Sequence, residues 1–207
     1  MKAIVIGLTG QTGAGKSTAA GFLRELGCGI IDADRVAREA VSRGSSCLEE
    51  LARAFGDDII NGDGSCNRRL LAKRAFSSRE NTELLNSLTH PWIISRTKEY
   101  IEGLCHKGYD MIIFDAPQLF ESGGDSICDF IVSVTAPENV RKQRIIDRDG
   151  ISAEAAGERM NAQHPEEYYV SRSEYLIDGS AAPEEVRRSA EKIFEDIRNK
   201  TGSTQEE

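Results

Sequence analysis

Residues 10–17, Gly-Gln-Thr-Gly-Ala-Gly-Lys-Ser, carry the pattern G-x-x-x-x-G-K-S, and this stretch decides the fold of the chain. An apolar run, Ala3–Leu8, precedes it, and a helical pattern, Thr18–Leu26, follows it. Glycines in such a loop let backbone N–H groups turn towards phosphate oxygens, and the helix adds the positive end of its dipole. The strand–loop–helix order therefore predicts a nucleotide-binding P-loop and not a chance glycine-rich turn.

Two side chains of the loop have predicted roles in holding a nucleoside triphosphate. The ammonium group of Lys16 reaches the β- and γ-phosphates, and the hydroxyl of Ser17 ligates Mg²⁺. The sequence thus predicts ATP as a co-substrate and Mg²⁺ as its cofactor.

Composition and charge limit the partners of this chain. Its 207 residues carry a net charge of −8, whereas nucleic-acid and anionic-membrane binders are more often basic. No stretch approaches 18 uninterrupted apolar residues, the N-terminus lacks a signal-peptide pattern, and the five cysteines are scattered singly. We therefore expect a cytoplasmic protein without nucleic-acid or membrane partners. The expected state is a monomer, with weak homo-oligomerisation as the alternative.

The remaining strands are predicted from short runs rich in Ile and Val. The five predicted strands are Ala3–Leu8, Gly29–Ile31, Met111–Phe114, Phe130–Val134 and Tyr175–Ile177. Their apolar residues are mostly contiguous, as in strands that are covered on both faces, and helical patterns separate them. These features predict an α/β fold with a parallel five-stranded sheet flanked by helices.

Two long excursions interrupt the predicted sheet. Residues 35–104 hold several helical patterns and are predicted to be an inserted helical domain that binds the acceptor. Residues 137–172 are highly charged and are predicted to be a lid. Residues 1–34, 105–136 and 173–200 then form the nucleotide core of a single kinase unit. The helical patterns of the insertion include Cys47–Phe55, Leu70–Phe76, Glu80–Leu88 and Ile93–Leu104.

Two carboxylates end the second predicted strand, in Asp32-Ala-Asp34. Positions two apart on a strand face the same way, and the carboxyl ends of parallel strands border the ligand crevice. One carboxylate is expected to accept a proton from an attacking hydroxyl, and the other to hold that base or a metal-bound water. The alternative is a pair of loop acids that cap a helix starting near Val36.

Two further acids follow apolar residues. Asp115 ends the run Met111–Phe114, the usual arrangement of a metal-proximal acid at a strand tip. Glu121, in Pro117-Gln-Leu-Phe-Glu121, serves either the metal or the substrate, or is simply an acid at a helix start.

Three arginines of the predicted lid, Arg141, Arg144 and Arg148, recur at helical spacing. This spacing places the three guanidinium groups along one face, where they would stabilise charge on a transferring phosphoryl group. Arg144 and Arg148 are the preferred candidates. The alternative is a solvated face paired with neighbouring acids.

A local basic cluster lies in the insertion of this acidic chain. Arg68 belongs to it, and His90-Pro91 follows further along. Such a cluster suits a phosphorylated acceptor, whereas His90 could equally be a buried core histidine.

In this order the motifs resemble those of the dephospho-CoA kinase family. The resemblance extends over roughly residues 4 to 190. The matching segments are 7–17, 31–34, Phe55-Gly56, Asp63-Gly64, Arg68, His90-Pro91, 117–121, Arg144 with Arg148-Asp149, and Ala162-Gln163. The phosphate loop is common to many families, whereas the I-D-A-D, H-P and P-x-L-F-E segments are far more specific.

The resemblance implies ATP-dependent phosphorylation of the ribose 3′-hydroxyl of dephospho-CoA, the last step of coenzyme A synthesis. It implies Asp34 as general base, Lys16 and the lid arginines Arg144 and Arg148 as further catalytic groups, and Ser17 as a magnesium ligand. Asp32, Arg68, His90 and Glu121 are then expected on the acceptor side. The implied ATP-binding residues are Gly13, Ala14, Gly15, Lys16, Ser17 and Thr18.

Two positions depart from the family pattern. Gln118 stands where the family usually has Leu, a change that would reshape the acceptor pocket. After the last strand, Ser173–Ser180 lacks the Asn expected near the adenine.

A phosphate loop also occurs in proteins with two other functions. Another small-molecule kinase, such as a nucleoside monophosphate kinase, would share the loop but not the acceptor motifs. A GTP-dependent switch would need a guanine-reading N-K-x-D, and the one N-K of this chain, Asn199-Lys200, lacks the Asp.

Overall fold

The computed structural model describes residues 3–202. The strands in this range are β1 (Ile4–Thr9), β2 (Gly29–Asp32), β3 (Met111–Asp115), β4 (Phe130–Thr135) and β5 (Tyr175–Asp178). All five predicted strands are present, and each ends one residue later than predicted. The contiguous apolar runs predicted them well because these strands are covered on both faces.

The strands form one parallel sheet in the order β2-β3-β1-β4-β5. β1 lies at the centre, so the phosphate loop that follows it emerges at the middle of the carboxyl edge. In this register Leu8 of β1 and Asp32 of β2 both lie opposite Asp115 of β3. The predicted P-loop α/β fold is confirmed.

Helices connect and cover the strands. They are α1 (Lys16–Glu25), α2 (Ala33–Ala40), α3 (Ser46–Phe55), α4 (Arg68–Ala75), α5 (Arg79–His106), α6 (Glu138–Asp149), α7 (Ala153–Asn161), α8 (Glu166–Val170) and α9 (Pro183–Gly202). Within residues 3–202 none of these helices is both long enough and apolar enough to cross a membrane.

Separate apolar clusters cover the two faces of the sheet. On one face, α1 and α9 pack over β1 and β4 through residues such as Leu23, Val132 and Ile197. On the other face, residues of α2 and α5, including Val36 and Ile101, pack on β2 and β3. The sheet is thus the middle layer of three.

Helix α5 corrects the prediction of two separate helices around His90-Pro91. It runs without a break for 28 residues and contains Pro91. A proline inside a helix removes one helical hydrogen bond. Trp92 and Ile93, directly after it, pack both against the core of the insertion and against the main sheet. This double anchorage offsets the missing hydrogen bond and keeps the helix in one piece.

The predicted divisions follow the helices only in part. The insertion has its own core around Leu48, Leu51 and Leu71, and α6 and α7 share a small core of Ile145, Ala156 and Met160. Helix α5, however, crosses the predicted boundary between residues 104 and 105, and its second half covers the sheet. The three-part division stays a prediction.

The phosphate loop lies so close to neighbouring backbone that several of its glycines have no room for a Cβ atom. A Cβ atom on Gly10 would lie 2.3 Å from the Val134 carbonyl oxygen, and one on Gly13 would lie 2.6 Å from that of Arg141. The turn after β5 is closer still, because a Cβ on Gly179 would lie 1.9 Å from the Ala14 carbonyl oxygen. Gly179 is therefore the point at which the last strand supports the loop.

Replacing Gly179 by Ala should displace the phosphate loop. We expect Gly179→Ala to lower the free energy of unfolding by about 1–3 kcal/mol, as overpacking does, and to weaken nucleotide binding. Gly157→Ala is the control, since that position lies within α7 with no atom within 4 Å of an added Cβ. It should leave binding unchanged and raise stability by about 0.5–1 kcal/mol. Urea unfolding and nucleotide titration test both; unaltered binding in Gly179→Ala would contradict the proposed support.

Candidate active site

A cavity of about 490 Å³ opens beside the phosphate loop at the carboxyl edge of the sheet. Its wall joins the loop to one acid of α2, two arginines of α6 and one glutamine that follows α7. The lining residues are residues 10–17, Asp34, Pro117, Arg144, Arg148 and Gln163. The structure therefore brings together five of the predicted catalytic and metal-binding side chains: Lys16, Ser17, Asp34, Arg144 and Arg148.

The backbone of the loop has the form needed to bind phosphate. Gly13 and Gly15 adopt left-handed conformations, with φ of 79° and 101°, which residues with a Cβ rarely adopt. Gly15 is also the N-cap of α1, and no side chain caps that end of the helix. This end of α1 is the positive end of the helix dipole and suits an anionic ligand, although the Thr18 N–H donates to the Gly15 carbonyl oxygen at 3.0 Å.

Lys16 pairs with Asp115 at the tip of β3. The ammonium group contacts Oδ1 of the carboxylate, and both side chains are less than one-fifth exposed. Asp115 thus lies beside the phosphate loop, as its place at a strand tip predicts. Its carboxylate holds the lysine that a triphosphate would engage.

Asp32 and Asp34 do not share one face of a strand, so that expectation is wrong. β2 ends at Asp32 and α2 begins at Ala33, so the chain has turned into a helix before Asp34. The carboxylate of Asp32 accepts a hydrogen bond of 3.1 Å from the Arg35 backbone N–H and caps α2. Asp34, in the first turn of the same helix, lines the cavity. The helix-capping alternative is thus observed for Asp32 alone.

The three lid arginines separate into two kinds. Arg144 donates to the carbonyl oxygens of Gly13 at 3.2 Å and Gly179 at 2.9 Å, and so bridges the loop and the turn after β5. Arg148 lines the cavity and makes two hydrogen bonds of 2.8 Å to Asp149. Those bonds hold the pKa of Asp149 at about 2. Arg141 instead is buried, because the first turn of α6 packs on the phosphate loop, and its Nε donates to the Ala136 carbonyl oxygen.

The predicted acceptor-side residues lie apart from this cavity. Arg68 is exposed as the first residue of α4. His90 lines a separate cavity of about 420 Å³ that also includes Ser122, the residue after Glu121. Burial lowers the pKa of His90 and so favours its neutral imidazole. Asp32 does not line the cavity beside the phosphate loop either, so the predicted acceptor-side residues are not gathered there.

Glu121 faces the lid. Its carboxylate accepts a hydrogen bond of 3.5 Å from the Tyr169 hydroxyl and lies 3.9 Å from Nε2 of His164. Burial, and to a smaller extent the nearby Glu121 carboxylate, raises the pKa of Tyr169 to about 12. The P-x-L-F-E segment is thereby joined to α8.

Two contacts between the loop and the lid were not predicted. The Thr12 backbone N–H donates to Oε1 of Gln163, and Nε2 of Gln11 donates to the His164 carbonyl oxygen, each at 2.8 Å. Gln163 appeared in the sequence only as part of the Ala162-Gln163 segment, and Gln11 only as a variable position of the loop. A glutamine in a loop carries no pattern that would single it out.

The donor set at this cavity fits Mg²⁺. Among residues 3–202 no group of three or more His, Cys, Asp or Glu side chains could hold a metal ion by itself. Mg²⁺ commonly keeps several waters and binds through one or two protein oxygens together with substrate phosphates. The Ser17 hydroxyl and the Asp34 carboxylate line the cavity, and Asp115 lies directly behind Lys16. These oxygen donors suit such a phosphate-dependent site.

Comparisons with known proteins agree on one family. The family model described as dephospho-CoA kinase matches residues 4–185. A dephospho-CoA kinase of Anaeromyxobacter dehalogenans is 35% identical over 198 residues, covering 96% of this chain and 94% of the relative. One of Corynebacterium jeikeium is 40% identical over 183 residues, covering 88% of this chain and 94% of the relative.

Solved structures show the same architecture. TT1252 from Thermus thermophilus has a TM-score of 0.78 at 30% identity, covering 95% of this chain and 99% of that one. A shikimate kinase from Bacteroides thetaiotaomicron, at 15% identity, has a TM-score of 0.55, covers 94% of this chain and 98% of that one, and shares the fold alone. With a family model that spans nearly the whole chain, and relatives above 30% identity that span it as well, the chain belongs to the dephospho-CoA kinase family.

Proposed function

We propose that this chain transfers the γ-phosphoryl group of ATP to the ribose 3′-hydroxyl of dephospho-CoA and releases coenzyme A and ADP. The observation that carries the proposal is the cavity in which a member of this family brings Asp34, Arg144 and Arg148 to the phosphate loop. That arrangement supplies a base and positive charge at one place.

Asp34 is the proposed general base. Its carboxylate takes the proton of the 3′-hydroxyl, whose oxygen forms a bond to the γ-phosphorus. The bond from that phosphorus to the bridging oxygen breaks, and its electron pair remains on ADP. Asp32 has a supporting role, since its cap fixes the start of the helix that carries Asp34. On the acceptor side we propose Asp32, Arg68, His90 and Glu121 as the residues that surround dephospho-CoA.

The remaining proposed contributions to binding and catalysis come mostly from positively charged groups. The backbone N–H groups of residues 13–18 and the ammonium group of Lys16 bind the phosphates, and Lys16 must leave Asp115 in order to do so. Arg144 and Arg148 stabilise the charge that develops on the transferring group. When bound, Mg²⁺ neutralises phosphate charge, and Ser17 and Asp115 are its proposed protein partners.

We further propose a monomer that acts in the cytoplasm on small molecules without nucleic-acid partners. The net charge of −8 supports the last point.

A coupled ADP-release assay tests the reaction. With Mg-ATP, ADP should be released with dephospho-CoA and not with AMP, CMP, phosphopantetheine or no acceptor, and mass spectrometry should detect coenzyme A. Selective release with AMP or CMP would instead support a nucleoside monophosphate kinase. Equal release without any acceptor would show ATP hydrolysis, in which water accepts the phosphoryl group, and would contradict transfer to dephospho-CoA.

The general-base role of Asp34 predicts a kinetic split. Asp34→Asn should lower kcat by about 10²–10⁴-fold, because the amide cannot accept the proton, while the affinity for ATP stays within about twofold. Glu49→Gln is the matched control, an exposed acid in the first turn of α3. It should change neither value. Near-normal turnover of Asp34→Asn would eliminate this residue as the base.

Arg68 should affect the acceptor and not the nucleotide. Arg68→Ala removes a charged partner of an anionic acceptor, so the KM for dephospho-CoA should rise by about tenfold while the affinity for ATP is unchanged. Arg53→Ala, another exposed arginine of the insertion, is the control. If both variants have the same KM as the unsubstituted protein, Arg68 is not part of the acceptor site.

A further inference from the structure

Gln163 lies between α7 and α8 and forms part of the cavity wall opposite the phosphate loop. It shares this wall with Lys16, Asp34 and Arg148, the residues that would surround the terminal phosphate of ATP. Its side chain therefore borders the space proposed for phosphoryl transfer, although it is uncharged and stands out in the sequence only within the Ala162-Gln163 segment.

The contact with the loop determines which way the carboxamide points. The Thr12 backbone N–H can only donate, so the atom it meets at 2.8 Å must be the oxygen of the amide. If the amide were reversed, its NH₂ group would face the Thr12 N–H, and two donors would oppose each other. Nε2 makes no hydrogen bond among residues 3–202, so its two N–H groups are the donors that Gln163 can offer a ligand.

The backbone around Gln163 is held from both sides. On the loop side, Nε2 of Gln11 donates to the His164 carbonyl oxygen at 2.8 Å, and Gln11 is more than nine-tenths buried. On the lid side, the His164 ring stacks on Tyr168 with 3.9 Å between ring centroids. Residues 11–12 and 163–164 are thus joined by reciprocal hydrogen bonds, which places the carboxamide with little freedom.

We propose that Gln163 is a catalytic residue whose Nε2 donates a hydrogen bond to an oxygen of the terminal phosphoryl group, with Gln11 as the residue that positions it. The proposal rests on the phosphoryl transfer proposed above. As the bond to ADP breaks, negative charge spreads over the oxygens of the moving group, and a fixed donor stabilises it. The N–H groups of Gln163 are oriented for this before the nucleotide arrives.

Three variants separate this role from a structural one. Gln163→Glu keeps an oxygen for the Thr12 N–H but replaces the donors by a charged acceptor. Gln163→Leu removes both interactions. Gln143→Glu is the control, since Gln143 is an exposed glutamine of α6 whose Nε2 contacts Asp147. The affinities for Mg-ATP and Mg-ADP are measured by calorimetry without acceptor, and kcat is measured with dephospho-CoA.

We expect Gln163→Leu to lower kcat by about 10²-fold, the usual effect of losing one such donor. Gln163→Glu should lower it further and weaken ATP binding by at least about tenfold, while ADP binding stays within about twofold because ADP lacks the terminal phosphate. Gln143→Glu should match the unsubstituted protein. Normal turnover of Gln163→Glu, or equal losses of ATP and ADP affinity, would overturn the proposal.

A measurement on the unsubstituted protein covers the case in which a variant fails to fold. The side-chain amide signals of Gln163 should shift in the ¹⁵N–¹H spectrum with the β,γ-imido analogue of ATP and Mg²⁺, but not with ADP and Mg²⁺. Identical spectra with both nucleotides would contradict the contact. Because binding is measured without acceptor, these results stand apart from the substrate assay: a protein inactive on dephospho-CoA could still distinguish ATP from ADP through Gln163.

Discussion

The conformation of the phosphate loop is fixed by backbone from three other segments that lies against it. Val134 at the end of β4, Arg141 in the first turn of α6 and Gly179 after β5 each approach a glycine or carbonyl group of the loop at a distance that excludes a side chain. The glycines by themselves would leave the loop flexible, because a residue without a Cβ can adopt many backbone conformations. The surrounding backbone removes that freedom, and the N–H groups then point into a cavity of fixed shape.

The same contacts bring α6 to the site. Helix α6 starts directly after β4, and its first turn supplies the backbone against Gly13. One turn later, Arg144 reaches the carbonyl oxygens of Gly13 and Gly179, and one turn further Arg148 lines the cavity. The helix that supports the loop with its first turn thus carries two cavity-lining arginines on its later turns. Support of the loop and the proposed catalytic charge therefore belong to one element.

Much of the fold was predictable because buried strands require contiguous apolar residues, which are easily recognised in the sequence. Contiguous apolar runs gave every strand to within one residue, and the loop motif gave the position of Lys16 and Ser17. The errors arose where tertiary packing decides. Asp32 and Asp34 were placed on one strand, but the strand ends between them, and α5 passes through Pro91 because Trp92 and Ile93 are anchored in two cores.

The acceptor side could be predicted only as a set of residue types. Arg68 and His90 lie on different helices, and nothing in their spacing tells how those helices pack. The roles of Gln11 and Gln163 could not be predicted for a similar reason, since they depend on hydrogen bonds between segments about 150 residues apart. Sequence motifs locate chemistry along the chain, whereas contacts of this kind locate it in space.

The groups proposed to bind ATP already have partners within the protein. Lys16 has Asp115, Arg148 has Asp149, and Arg144 has two carbonyl oxygens. Unpaired polar groups in a partly buried site would be costly, so internal acceptors stand where phosphate oxygens would bind. Phosphate is the stronger acceptor because it is charged, and it can displace a neutral carbonyl oxygen. Displacing a carboxylate is harder, so Asp115 must be compensated by other positive charge when Lys16 turns to the nucleotide. A metal ion bound together with the triphosphate, as proposed above, would supply that compensation, so the acid beside Lys16 is compatible with the proposed nucleotide site.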